Sequence, residues 1–159
     1  IKNQYLPKKD FDKYLEKGEA ALKTFFEQTP NLFTSSQKTE LSFANQTSIV
    51  GIAHLTGKLD LIDINKNDKT IRVYDYKTGN PLTKWGSGSD YDKIKSHKYK
   101  QQLMFYKLLV ENSRDYHGYT VTNGSLQFIE PTKSGQILSL ESDFTDEDFK
   151  EFTKLIDAV

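Results

Sequence analysis

Cysteine is absent from the chain, which excludes disulfide staples, thiolate zinc sites, a cysteine nucleophile and a cysteine-held iron–sulfur cluster. Long apolar runs are missing too, with nothing approaching the ~18 residues of a membrane span, so no membrane partner is expected. No signal peptide is recognisable, and because the chain begins at Ile1 it is expected to be a trimmed piece of something longer. Net charge is also lacking: Lys+Arg and Asp+Glu number 22 each, so any nucleic-acid binding must use a local field. Arginine is confined to Arg72 and Arg114, the other basic residues being lysine. No internal repeat or low-complexity segment is present. What the chain does hold is aromatic residues, at 13%, far from the composition of a disordered segment. Its 159 residues suffice for one domain with a real core.

Along residues 10–28, Phe11, Tyr14, Leu15, Leu22, Phe25 and Phe26 fall on one stripe, the spacing of an amphipathic helix, and Thr29-Pro30 ends it. Alternation then signals strands around Leu41 and Phe43 and at 49–52, with a turn near Asn45-Gln46, and again at 70–77. Residues 79–92, rich in Gly, Ser, Asp and Pro, read as a mobile loop. A helix is expected over about 95–112 with Leu103, Tyr106, Leu109 and Val110 inward, then strands near 117–130 and 136–141. Thr145 and Asp148 form a capping-box signature for a last helix whose Phe149, Phe152, Leu155 and Ile156 face inward. The order α-β-β-β-α-β-β-α predicts a mixed sheet with helices against it.

The most informative region is Gly57-Lys58-Leu59-Asp60-Leu61-Ile62-Asp63-Ile64 with Ile71-Arg72-Val73-Tyr74-Asp75-Tyr76-Lys77-Thr78-Gly79. A hairpin turning symmetrically around Asn67-Asp68 opposes Ile64 to Ile71, Ile62 to Val73, Leu61 to Tyr74, Asp63 to Arg72 and Asp60 to Asp75. Aliphatic and opposite-charge pairs then coincide, whereas a one-residue slip would mix them. In this register Asp60 and Asp75 stand side by side on the inward face, and Lys77 points to the same face. Two adjacent carboxylates call for a cation or a shared proton. Oxygen ligands of this kind suit Mg2+ or Mn2+, and the neighbouring ammonium suits an attacking water or charge developing on phosphorus. The same residues also fit a plain surface strand end, and Asp63 is expected to partner Arg72 rather than a metal.

With Gln102 and Tyr106 added, the motifs resemble those of the RecB-like branch of the PD-(D/E)XK nuclease superfamily: a G-x-x-D strand (Gly57 to Asp60), a D-Y-K-T-G strand end (Asp75 to Gly79) and a Q-x-x-x-Y helix. The resemblance covers about residues 10–140. A segment like Phe11–Gln28 ahead of these motifs is most similar to the nuclease domain at the C-terminus of UvrD/Rep-type DNA helicases. The resemblance implies an α/β, restriction-endonuclease-like fold, a central mixed β-sheet flanked by helices, as a single domain over residues 1–159 within a longer helicase-nuclease. It implies Mg2+ or Mn2+ held by Asp60, Asp75 and the carbonyl of Tyr76, and Lys77 as catalytic lysine. Gln102 and Tyr106 would support the site and contact DNA. Glu40 is similar to an acidic residue that this branch often carries ahead of the G-x-x-D strand, and tunes or joins the site unless it is simply solvated. The expected reaction is hydrolysis of DNA phosphodiesters in repair or recombination, in a bacterial, nucleoid-associated, cytoplasmic protein.

One departure stands out. The family's upstream histidine has no counterpart before the first strand, where none of His54, His97 and His117 lies; His54 is either a partly buried structural residue or a group that approaches the site. The basic run from Lys93 to Lys100, with Lys98 and Lys100 as candidate phosphate contacts, reads equally as a DNA-facing patch or a solvated helix start. Trp85 either stacks on a base or anchors its loop. Two rival readings remain at this stage: a DNA- or helicase-binding module of the same fold that cuts weakly or not at all, and an unrelated α+β interaction domain.

Overall fold

The computed structural model describes residues 7–157. Helix α1 (Lys8–Gln28) leads into strands β1 (Gln37–Ser42), β2 (Ser48–Val50), β3 (Ala53–Leu55), β4 (Lys58–Asn65) and β5 (Thr70–Lys77). Helix α2 (Asp90–Glu111), strands β6 (Thr120–Phe128) and β7 (Ser139–Asp143), and helix α3 (Asp146–Asp157) follow. Five strands form one sheet in the order β1-β4-β5-β6-β7, and β2 and β3 form a separate two-stranded sheet. Only β5 and β6 run parallel within the large sheet. A parallel pair needs a crossover, and α2 supplies it. The expected mixed sheet with flanking helices is therefore present; the extra short hairpin of β2 and β3 is what the expected element order missed. Among the described residues no helix is long and apolar enough to cross a membrane.

The β4–β5 register matches the pattern expected from the aliphatic pairs: Ile64 faces Ile71, Ile62 faces Val73, Asp63 faces Arg72 and Leu61 faces Tyr74. Asn65 closes the turn, its Oδ1 accepting from the amides of Asn67 and Asp68 at 3.0 and 3.2 Å. Side chains of Ile62, Ile71 and Val73 are fully buried and share a core with Leu103 and Leu109 of α2 and Leu126 and Phe128 of β6. Hence the face that carries Asp60, Asp75 and Lys77 is the face that α2 covers. Gly57 lets the helix come this near: a Cβ there would lie 2.8 Å from Leu109 Cδ1 and 3.3 Å from Phe105 Cε1.

Several local expectations are corrected. The stripe on α1 is largely exposed. Ala21 and Phe25 are buried, but Tyr14, Leu15, Leu22 and Phe26 are 60%, 45%, 45% and 53% exposed. The helix meets the sheet near one turn, where the Phe25 ring packs edge-on at 6.1 Å from Tyr76. Helix α2 begins at Asp90 rather than near 95, because Ser89 and Asp92 form a reciprocal capping box, a signal that the Gly- and Ser-rich composition obscured. The 79–92 segment is tied down: Trp85 Nε1 donates to the Glu141 carbonyl at 2.6 Å, Gly86 N donates to Ser96 Oγ at 2.9 Å, and Leu82 is buried. Trp85 thus anchors the loop. Arg72 does not pair with Asp63; it reaches Glu141 of β7 at 3.1 Å, while Asp63 accepts from Ser36. Thr145 and Asp148 cap α3 as expected, and Phe152 is buried. The inward facing expected of Leu155 and Ile156 lies outside the described side chains.

Candidate active site

Strand β5 alternates faces, so Asp75 and Lys77, two residues apart, project together beneath α2. Gln102 and Tyr106, four apart on α2, also share a face. Four residues of helix rise about 6 Å and two residues of strand about 6.6 Å, so the helix pair can dock on the strand pair almost in step. The structure realises that match as a closed ring of contacts. Lys77 Nζ donates to Gln102 Oε1 at 2.7 Å, Gln102 Nε2 donates to the Tyr106 hydroxyl at 2.8 Å, and that hydroxyl donates to Asp75 Oδ1 at 2.8 Å. Asp75 Oδ2 closes the ring, 2.6 Å from Lys77 Nζ.

Asp60 reaches the same place from the neighbouring strand. Its Oδ2 accepts from the backbone amide of Tyr76 at 2.8 Å, which locks the carboxylate across the β4–β5 ladder beside Asp75. The charge of Asp60 is felt at Asp75, whose carboxyl sits above its ordinary range. Burial is the main cause, opposed by contacts with Lys77 and Tyr106 and reinforced by Asp60. Asp75 is 2% exposed. The Tyr106 phenol is also held well above its usual range, by burial first and the Asp75 charge second.

Two carboxylates and a strand-end carbonyl are hard oxygen donors of the kind that divalent ions such as Mg2+ take. Asp75 Oδ2 supplies the specific fit: it is buried, and among the described residues no group gives it a hydrogen bond. Its ammonium neighbour is an ion pair without hydrogen-bond alignment, so a lone pair is left for a cation. The Tyr76 side chain lies on the opposite face against Phe25, its phenol pushed up to about 12 by burial, then by Tyr74 and Asp60. Any contribution of Tyr76 to an ion is therefore through its main chain.

Other expected site residues fall elsewhere. Glu40 stands opposite Asp60 in the β1–β4 register, in which Thr39 faces Leu61 and Leu41 faces Leu59. Its backbone turns to φ 52°, unfavourable for a non-glycine residue, and its side chain is exposed. Among the described residues no three His, Asp or Glu side chains gather as a ligand set, so neither Glu40 nor His54 joins the two aspartates. His54 is exposed on β3 rather than partly buried. Lys98 is exposed one turn before Gln102, on the face of the site. Lys100 points away, bound to Asp148 of α3 at 2.7 Å, because residues two apart on a helix lie on nearly opposite sides.

Two further residues support the site without having been singled out in the sequence. Past Lys77 the chain turns at Gly79, with φ 90°, a conformation for which glycine is the ready choice. Glu130, just beyond β6, accepts from the Gly79 amide at 2.7 Å and from Lys17 of α1 at 2.6 Å. Its carboxyl is held below its ordinary range by Lys17 first, against burial, with the Gly79 amide helping. A glutamate after an apolar strand carries no signature of such a role. The second residue, Tyr99, places its ring centroid 4.6 Å from Lys77 Nζ; its position three residues before Gln102 was the available signal.

Comparison with known proteins is consistent with this geometry. A search of the curated proteins gives no match. A solved structure, "Crystal structure of SSO0001", aligns with a TM-score of 0.45 at 18% identity, over 91% of this chain and 58% of that one. The chain thus spans little more than half the length of that protein. The family description that matches, PD-(D/E)XK nuclease superfamily, extends over residues 4–159. The chain belongs to the PD-(D/E)XK nuclease superfamily, a membership that implies metal-dependent cleavage of nucleic acid.

Proposed function

We propose that this domain is a RecB-like deoxyribonuclease that hydrolyses DNA phosphodiester bonds with Mg2+ or Mn2+ held by Asp60, Asp75 and the Tyr76 carbonyl. One observation carries the reading: Asp75 is buried in a ring of contacts with Lys77, Gln102 and Tyr106, yet its Oδ2 has no hydrogen-bond donor among the described residues. When bound, a divalent ion supplies a Lewis acid and a more acidic water. Lys77 orients the nucleophile and steadies negative charge on the phosphate. Gln102 and Tyr106 hold Lys77 and Asp75 in register, and Lys98 meets backbone phosphates.

The order of the G-x-x-D, D-Y-K-T-G and Q-x-x-x-Y motifs behind α1 supports a further step. On this reading residues 1–159 are the nuclease domain of a UvrD/Rep-type helicase, fused or associated, acting in DNA repair or recombination in the bacterial cytoplasm. Helicase motifs in the full-length gene would bear this out, and a full-length open reading frame without them would remove it.

The test of the chemistry is cleavage of end-labelled linear DNA with Mn2+ by wild type and Asp75→Ala, alongside circular dichroism. Wild type should cut and the folded variant should not; equal cleavage by both would take Asp75 out of the reaction. A second reading is kept in play by the two-carboxylate site: a module that grips DNA and cuts weakly or not at all. Saturable DNA binding by wild type, with no cleavage in Mn2+, would favour it.

A further inference from the structure

Lys77 presents its ammonium to three neighbours of different kinds. Asp75 Oδ2 is 2.6 Å away, Gln102 Oε1 accepts from it at 2.7 Å, and the ring centroid of Tyr99 lies 4.6 Å away. The first two contacts belong to the ring already described; the third does not. Tyr99 is half-buried and packed against the core, so its ring has little freedom to leave. A second ammonium, that of Lys95, stands 5.6 Å from the same ring and is tied to the Asn80 carbonyl at 3.1 Å.

A divalent cation that takes Asp75 Oδ2 meets the Lys77 ammonium already set against that oxygen. Like charges at such separation repel strongly where water is scarce, and the Lys77 side chain is only 16% exposed. The ammonium therefore has to shift, and to act on the phosphate it must not shift far. A carboxylate would hold it but would also draw the divalent ion. Gln102 Oε1 is a neutral acceptor, and the face of an aromatic ring attracts an ammonium without a formal charge.

Resting on the metal reading above, we propose that Tyr99 is a positioning residue: together with Gln102 Oε1, its ring face receives the Lys77 ammonium when a divalent cation takes Asp75 Oδ2. Tyr99 adds a seat for the amine that the aspartates and the glutamine–tyrosine pair do not provide.

The test is calorimetric titration of the chain with Mn2+ alone, without nucleic acid. Wild type, Tyr99→Phe and Tyr99→Leu are compared, each also in a Lys77→Met background, with Lys77→Gln as the second background should Lys77→Met fail to fold. Without the ring the ammonium favours Asp75, so Tyr99→Leu should weaken Mn2+ binding about three- to thirtyfold, the range of a half-desolvated cation–π contact. Tyr99→Phe keeps the face and should stay within about twofold of wild type by the same reckoning. Where residue 77 carries no charge there is nothing to relocate, and Tyr99→Leu should change the affinity by less than about twofold. Equal weakening in both backgrounds would mean that Tyr99 only shapes the cavity, overturning the proposal and leaving the metal reading in place. No Mn2+ isotherm from wild type, or one that Asp60→Ala leaves untouched, would overturn the metal reading and this proposal together.

Discussion

Tyr106 donates its hydroxyl proton to Asp75 Oδ1 at 2.8 Å, joining α2 to the end of β5 across 31 residues of sequence. The bond matters because Asp75 is 2% exposed, and a buried carboxylate depends on donors inside the protein. Tyr106→Phe keeps the ring and its packing and removes only this donor. Hydrogen bonds to charged groups contribute about 1.5–3 kcal/mol, so a urea titration should show a loss of that order. In an Asp75→Asn background the same substitution should cost clearly less, since the acceptor has lost its charge; an undiminished cost would mean that the hydroxyl acts elsewhere.

Asp75 also sets a pH dependence of unusual sign for a carboxylate. Its folded-state value lies above the ordinary 3.8, burial outweighing Lys77 and Tyr106. Between those two values the folded chain holds a proton that the unfolded chain has already lost. Stability from this group is therefore full below 3.8 and fades as pH rises through the raised value. Melting temperatures of wild type and Asp75→Asn across a pH series should show wild type losing ground to the variant as pH climbs through that window. A gain instead would place the folded pKa below the ordinary one. Mn2+ competes with the same proton, so its binding should tighten as pH rises over the same range.

The hairpin register was legible in the sequence because only one pairing sets Ile62 on Val73 and Ile64 on Ile71 while keeping Asp60 beside Asp75. The face of α2 was legible for a similar reason, since Leu103, Tyr106 and Leu109 recur at helical spacing and all are buried. What covers an apolar residue is a different matter. Periodicity marks Tyr14, Leu15, Leu22 and Phe26 as one stripe, but the sheet has room for α1 only around Ala21 and Phe25, so most of the stripe stays exposed. Long polar side chains were the other blind spot. Arg72 bypasses its cross-strand neighbour Asp63 for Glu141, Lys100 turns to Asp148, and Glu130 reaches both Gly79 and Lys17. Each choice depends on tertiary neighbours far away in sequence, which spacing within one strand or helix does not encode.

Gly57 of the G-x-x-D motif has a packing reason that can be tested apart from the chemistry. A methyl group there would stand 2.8 Å from Leu109 Cδ1, and Leu109 is fully buried with no open space to retreat into. Overpacking of this kind costs about 1–3 kcal/mol, so Gly57→Ala should lower the denaturation midpoint accordingly. Because α2 carries Gln102 and Tyr106, lifting it also loosens their hold on Lys77 and Asp75. Turnover should therefore fall further than the fraction of folded protein does. Cleavage that merely tracks the folded fraction would show that α2 settles back without disturbing the site.

Lys98 and Lys100 separate two uses of charge on one helix. Lys98 is exposed, one turn before Gln102, and so faces any strand of DNA brought to the aspartates. Lys100 lies on the far side with its ammonium on Asp148 Oδ1, beside the Thr145 cap of α3. Counterion release makes DNA affinity fall with salt in proportion to the phosphates neutralised. Anisotropy titrations with labelled DNA, in EDTA so that no cutting intervenes, should show Lys98→Met weakening binding and reducing the salt slope by about one. Lys100→Met should leave that slope unchanged and lower the melting temperature slightly, since a partly exposed ion pair contributes under about 1 kcal/mol. A slope reduced by Lys100→Met and untouched by Lys98→Met would move the DNA to the α3 side of the helix, away from Asp60 and Asp75.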